Sequence, residues 1–260
     1  MSEAVNLSIL PEVDGFDPAA APASAGLRAR LGFWLRNDAS RLLWPTRCLA
    51  CDEAGGELLD LCPACAAALP WHRNACRQCA LPLPAPGLCG SCLTRPPPLQ
   101  ATQAAFLYGA PLDRLLPRFK FHQDLAAGRL LSQLMAESFA SLPPPHALVP
   151  VPLHRARLRR RGYDQALELA RPLARALGLP LRVDLLRRVR DTAAQSELDA
   201  AMRRRNLRDA FAVSAGAALP MHVVLVDDVM TTGATLHAAA LALRRAGVRR
   251  VDAWVCARVP

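Results

Sequence analysis

Val223-Val-Leu-Val-Asp-Asp-Val-Met-Thr-Thr-Gly-Ala-Thr235 is the stretch on which the fold of this 260-residue chain turns. Four apolar residues in a row, Val223 to Val226, suit a strand buried on both faces. Two aspartates close the run, a short loop of small residues follows, and a helix over Thr235 to Ala246 is stopped by Gly247. A strand over His222 to Val229 that feeds a helix in this way belongs to an α/β sheet. Such sheets bind ligands beyond the carboxyl ends of their strands, and Asp227 and Asp228 fall at that edge. Gly233 permits positive φ and close approach of backbone to a ligand. Successive N–H groups and the helix N-terminus can converge there on one anion. The hydroxyls of Thr231, Thr232 and Thr235 add donors. The stretch has no Gly-Lys-Ser/Thr, so it is not a Walker A loop.

Two carboxylates beside an anion site demand a ligand that also brings hydroxyls or a metal. A ribose 5-phosphate brings hydroxyl donors, and Mg²⁺ can bridge them to a pyrophosphate. Simple helix capping needs one such residue, whereas two acids, three threonines and a glycine crowd into this segment. The segment resembles the 5-phosphoribosyl-1-pyrophosphate (PRPP) motif of the type I phosphoribosyltransferases. That resemblance implies PRPP contacts from Val226, Asp227, Asp228, Met230, Thr231, Thr232, Gly233, Ala234 and Thr235, with Asp227 and Asp228 as the catalytic pair.

Outward from this point the chain alternates strand and helix patterns. Strands are expected over Ala101 to Tyr108, His146 to Leu153 and Val251 to Val259. Helices are expected over Leu125 to Phe139 and Tyr163 to Leu177, the second kinked or divided by Pro172. The alternation predicts a mostly parallel sheet flanked by helices. After the second strand end, five arginines between His154 and Gly162 make a cationic loop. Arginine forks there suit a diphosphate and suit a DNA backbone equally. The candidate anion loop is Arg159, Arg160, Arg161 and Gly162, with Lys120. Thr192 to Arg208 reads as a flexible loop or as a basic surface helix.

Eight of the nine cysteines form four CxxC pairs: Cys48/Cys51, Cys62/Cys65, Cys76/Cys79 and Cys89/Cys92. Each pair can present two thiolates to one Zn²⁺, so the four make two Cys₄ sites. The intervals between pairs are nearly equal. Sequential pairing is expected, and interleaved pairing stays open. The region carries few large apolar side chains, so structural zinc must supply its folding free energy. Cys256 reads as a buried strand residue.

Residues 48–95 are therefore expected to be a small double zinc ribbon and residues 99–260 the α/β domain, with Arg95-Pro-Pro-Pro-Leu99 between them. Residues 1–26 read as a disordered tail and 27–47 as an amphipathic, basic helical lead-in. From about residue 44 onward the chain is similar to the ComF family, double-zinc-ribbon proteins with a phosphoribosyltransferase-like domain. The likeness rests on the cysteine pairs, Phe119-Lys-Phe121, Val149-Pro-Val-Pro-Leu-His154, Arg157-Leu-Arg-Arg-Arg-Gly-Tyr163, Gln165, Arg203-Arg-Arg-Asn206 with Ala210-Phe211, and the motif already quoted. It implies an α/β, type I phosphoribosyltransferase-like sheet and a role in DNA uptake during competence. Other DNA-uptake proteins and single-stranded DNA become candidate partners. The family pattern has Asn where Asp164 stands, which replaces a donor by an acceptor.

Composition agrees with an anionic partner. The formal charge is +10 and Lys120 is the only lysine; genome composition accounts for part of that arginine excess. A hydrophobic fraction of 52% supports a full core. No secretory signal and no membrane-spanning run is visible, so a cytoplasmic protein without stable membrane insertion is expected. Three activities fit. The first is a PRPP-binding protein of DNA uptake that releases pyrophosphate. The second is a salvage phosphoribosyltransferase. The third is a PRPP-sensing module that binds single-stranded DNA without turnover.

Overall fold

The computed structural model describes residues 46–56, 59–190 and 209–260. The chain divides into two compact units, residues 1–46 and 47–260. The expected tail, most of the helical lead-in and the Thr192–Arg208 segment lie outside the described residues.

Four parallel strands form the central sheet: β1 (Thr102–Leu107), β2 (Ala147–Pro150), β5 (His222–Met230) and β6 (Arg250–Arg258), in the order β1-β6-β5-β2. The apolar run Val223 to Val226 is the middle of β5. It pairs with β2 on one side and β6 on the other, and Val226 opposes both Pro150 and Trp254. Pleating divides the run between two cores. Val224 and Val226 pack with Leu130, Leu131 and Leu134 of α4 (Leu125–Phe139) and with Leu169 and Leu173 of α6 (Gln165–Ala176). Val223 and Leu225 pack with Leu236, Ala240 and Leu243 of α7 (Ala234–Ala246). The sheet is thus covered on both faces, as all-parallel sheets require. A separate antiparallel hairpin, β3 (Leu186–Arg188) with β4 (Phe211–Val213), lies on the α7 side.

Several elements differ from the sequence reading. β5 runs through the aspartates to Met230, one residue beyond the expected end, because β6 pairs along its whole length. β2 is shorter than expected and ends at Pro150. Pro172 does not divide α6. Leu169, Ala170, Leu173 and Ala174 on both sides of it are buried, and that packing outweighs one lost backbone bond. The arginine segment is not a loop. It forms a short helix, α5 (Arg155–Arg161), capped by the Nδ1 of His154, which accepts from Ala156 N–H, and closed by Gly162 at φ 82°. Helix α3 (Leu112–Phe121), with Pro117 inside it, was not anticipated. Neither was the β3-β4 hairpin.

The cysteine region contributes two short knuckle helices, α1 (Pro63–Ala67) and α2 (Gly90–Thr94). It packs directly on the sheet domain. Cys48, Leu61, Cys62 and Leu69 share a core with Phe106, Leu116 and Phe119. Trp71 bridges antiparallel to Phe106, with ring centroids 4.6 Å apart. His72 N–H donates to Ala105 O and Leu107 N–H to Pro70 O, both 2.9 Å. Residues 47–260 therefore make one body, although the Pro-rich connector reads as a boundary.

Candidate functional site

The carboxyl ends of β2 and β5 and the ends of α3 and α5 open on one cleft of about 390 Å³. Asp227 and Asp228 form part of its wall. Their backbone geometry is self-supporting: Asp228 N–H donates to Asp227 Oδ1 at 2.9 Å and Val229 N–H to Asp228 Oδ1 at 2.7 Å. Asp228 is 6% exposed, and the only lysine, Lys120 in the last turn of α3, pairs with its Oδ2 at 3.0 Å. Burial holds the Asp227 carboxyl well above the ordinary carboxylate range, and the neighbouring Asp228 charge adds to that.

The candidate phosphate loop starts where β5 ends. Gly233 adopts φ 75° as the N-cap of α7. A Cβ placed there would sit 2.5 Å from Met230 Cε and 3.0 Å from His237 Nε2. Only glycine fits the turn. Thr231 and Thr232 are exposed, Thr235 lines the cleft, and Ala234 N–H donates to Thr232 Oγ1 at 3.4 Å. This is a local turn bond, and no side chain caps the helix. Val226 and Met230 have side chains buried in the two cores, so a ligand would meet only their backbone.

Among the five proposed anion residues, Arg161 and Lys120 line the cleft. Arg159 and Arg160 are exposed on α5 and do not, and Gly162 closes the helix. Helical spacing explains the division: Arg157 and Arg161 share a face four residues apart, and both reach the cleft. Sequence reasoning passed over Arg157 as a site residue, along with Asp164, Gln165 and Arg188, which also line it. A helical reading of Arg155 to Arg161 would have found Arg157; nothing in the sequence around Arg188 marks it. Gln165 is 3% exposed, and its Nε2 is buried without a hydrogen-bond partner. An orphaned amide in a cleft wall is what a ligand oxygen would satisfy.

Asp164 uses its acceptor-only chemistry in the fold. Its Oδ1 accepts from Leu167 N–H at 3.2 Å, capping α6, and its Oδ2 accepts from Leu153 N–H at 2.8 Å. An asparagine has one side-chain oxygen and could satisfy only one of these donors as an ordinary acceptor. Burial raises the Asp164 carboxyl above its usual range.

The cysteines gather as two tetrads in sequential order, Cys48/Cys51/Cys62/Cys65 and Cys76/Cys79/Cys89/Cys92. A tetrahedral ion with Zn–S bonds of about 2.3 Å separates its sulfurs by about 3.8 Å. The Cys51–Cys62 and Cys79–Cys89 sulfurs are 3.7 Å and 3.6 Å apart. Cys65 N–H points at Cys62 Sγ (3.4 Å) and Cys89 N–H at Cys76 Sγ (3.3 Å), donors that favour thiolates. At Cys48 burial opposes ionisation, but the backbone donors of Cys62, Ala50 and Cys51 outweigh it and bring the thiol down to about 6. Both tetrads fit structural zinc, with all four corners filled by sulfur. Cys256 is buried in β6 as expected.

Comparison with known proteins agrees with this architecture. Residues 39–93 match the double zinc ribbon domain and residues 164–260 the phosphoribosyl transferase domain. The orotate phosphoribosyltransferase of Aeropyrum pernix aligns with a TM-score of 0.32 and 23% identity, over 55% of this chain and 63% of that one. The two domain matches and the observed sheet make the molecule a phosphoribosyltransferase-type α/β domain with two cysteine ribbons packed against it. Among curated proteins, the DNA utilization protein YhgH of Salmonella typhi is 41% identical over 208 residues, 76% of this chain and 90% of the relative. Competence protein F of Haemophilus influenzae is 39% identical over 178 residues, 65% of this chain and 78% of the relative. The chain belongs to this ComF/YhgH family. Among the described residues, no helix is long and apolar enough to cross a membrane.

Proposed function

We propose that the cleft binds PRPP with Mg²⁺ and that the protein serves DNA uptake in competence, in keeping with relatives named for DNA utilization and for competence. The observation that carries this reading is the meeting of three features in one cleft: an aspartate pair, a glycine-turned phosphate loop and a cationic wall. The N-terminus of α7, with Thr235, takes the 5-phosphate. Asp227 and Asp228 accept hydrogen bonds from the ribose hydroxyls. Arg157, Arg161 and Lys120 face the pyrophosphate, and the Gln165 amide donates to one of its oxygens. Mg²⁺, held beside Asp227 and Asp228, would offset the charge of the pyrophosphate. Lys120 then leaves Asp228 for the phosphate, so the apo ion pair marks the place of a ligand contact.

The same groups can support transfer. As the C1–O bond breaks and pyrophosphate departs with the electron pair, positive charge develops at the ribose C1. The Asp227 and Asp228 carboxylates stabilise it, and a nucleophile closes on C1. Asp228→Asn removes the charge but keeps the shape. Calorimetry is expected to find PRPP affinity reduced by at least about tenfold, and unchanged affinity would overturn the proposal.

A role in gripping single-stranded DNA is supported by one further feature. Phe121, 66% exposed, stands at the cleft edge with the Arg161 guanidinium 5.7 Å from its ring centre, next to the exposed arginines of α5. Exposed aromatics among cations suit unstacked bases. Phe121→Ala should weaken oligonucleotide binding by more than it weakens PRPP binding. Affinity independent of salt would remove this role.

A further inference from the structure

The second cysteine tetrad and the phosphate loop meet at one buried side chain. Arg258, the last residue of β6, is 8% exposed. Its Nε donates to the carbonyl of Cys79 at 2.9 Å and its Nη1 to the carbonyl of Met230 at 3.3 Å. Cys79 belongs to the second tetrad, and Met230 is the last residue of β5 before Thr231. The Met230 carbonyl also accepts from Val259 N–H at 3.0 Å, so the entry to the loop is held by two donors from the end of β6. The Cys79 knuckle is fixed from the opposite edge by β1. Thr102 donates its hydroxyl to Gln78 O at 2.7 Å and its N–H to Arg77 O at 2.8 Å.

A buried guanidinium requires a counter-charge. None of the ion pairs between described residues includes Arg258. What it lies against instead is the knuckle of the second tetrad, through the Cys79 carbonyl. A Zn²⁺ ion held by four thiolates leaves a net charge of about −2, which is the counter-ion that this guanidinium lacks elsewhere. With the metal lost, the knuckle that presents the Cys79 carbonyl would no longer be held in place, and Arg258 would lose one of its two anchors. It would leave its position and release the Met230 carbonyl.

We infer that Arg258 is a positioning residue through which zinc in the second tetrad holds the phosphate loop in its binding shape. The functional meaning of this coupling rests on the reading of that loop as a phosphate site; the coupling itself does not. It makes the ribbon a working part of the site, since losing zinc from one tetrad would loosen the loop across the sheet edge.

Hydrogen exchange of the zinc-loaded full chain, without ligand, tests this at the Thr231–Thr235 amides. Arg258→Met keeps the stem and removes both charge and donors. It should speed exchange in the loop about tenfold. It should also speed release of zinc from the second tetrad to a coloured chelator by about tenfold, with the first tetrad unchanged. Arg258→Lys keeps the charge without the forked donors, so it should restore zinc retention but not loop protection. Cys89→Ser opens the second tetrad. It should loosen the loop of the wild-type chain and add little in the Arg258→Met background. Wild-type exchange in Arg258→Met, or full addition of the two effects, overturns the inference. Should Arg258→Met fail to fold, wild-type loop exchange in Arg258→Lys overturns it instead. A PRPP titration of the wild-type chain runs alongside. No binding together with a loosened variant loop removes the ligand reading and keeps the coupling; binding with unaltered exchange removes the coupling alone.

Discussion

Asp227 and Asp228 are neighbours in sequence, yet their surroundings differ. Asp228 has Lys120 against it, whereas Asp227 is held in its neutral direction by burial and by the Asp228 charge. A carboxyl raised in the native state stays protonated over a range in which the unfolded chain has ionised. Stability therefore falls as pH rises through that range. A ligand offering hydroxyl donors prefers the ionised form, so PRPP affinity should increase with pH across the same range, with release of a proton on binding. Calorimetry in two buffers of different ionisation enthalpy reads that proton directly, and Asp227→Asn should abolish it. Gly233 carries a second expectation. Alanine there would be strained by φ 75° and would press on Met230 and His237. Its left-handed conformation alone costs about 1–2 kcal/mol. Gly233→Ala should thus lower the melting temperature modestly while reducing PRPP affinity by more than tenfold, because the loop's N–H groups turn away from the anion.

Elements with a strong period or a long apolar run were legible in the sequence. Val223 to Val226 announced β5, Gly247 marked the end of α7, and Leu130, Leu131, Leu134 and Phe139 announced α4. Elements whose stability comes from tertiary packing were not. Pro117 disguises α3, which exists because Leu112, Leu115, Leu116 and Phe119 are buried. The arginines disguise α5, whose helical form depends on the His154 cap and the Gly162 turn. A loop reading therefore passes over Arg157 and selects Arg159 and Arg160, which are not among the residues lining the cleft. The β3-β4 hairpin is three residues per strand and lacked a turn signal. Helix contact also positions Lys120. A Cβ on Gly128 of α4 would lie 2.4 Å from the ring of Phe119, which itself meets Tyr163 at 5.7 Å between centroids. Gly128→Ala should then cost about 1–3 kcal/mol of stability by overpacking. It should also weaken PRPP binding by displacing the adjacent Lys120; equilibrium denaturation and calorimetry on one sample check both.

The whole molecule unites two modules that the sequence separates by a proline run. The ribbons share a core and backbone bonds with the sheet, so they should not melt on their own. Two zinc ions per chain are expected by elemental analysis. Their removal with a chelator should lower the single melting transition of residues 47–260 rather than split it in two, and a separate early transition would mean that the ribbons are an independent bead. The pairing of cysteines could not be read from their spacing and follows from the knuckles' packing on β1 and α3. The proposed reading puts the family role and the phosphate chemistry in the same cleft. The most direct measurement is therefore a calorimetric titration of the zinc-loaded chain with PRPP in the presence of Mg²⁺, alongside ATP as an anion without the 1-pyrophosphate. The account predicts saturable binding of PRPP at one site per chain, at least about tenfold tighter than ATP and lost in Asp228→Asn. Equal affinity for the two anions, or no heat with PRPP, would contradict it.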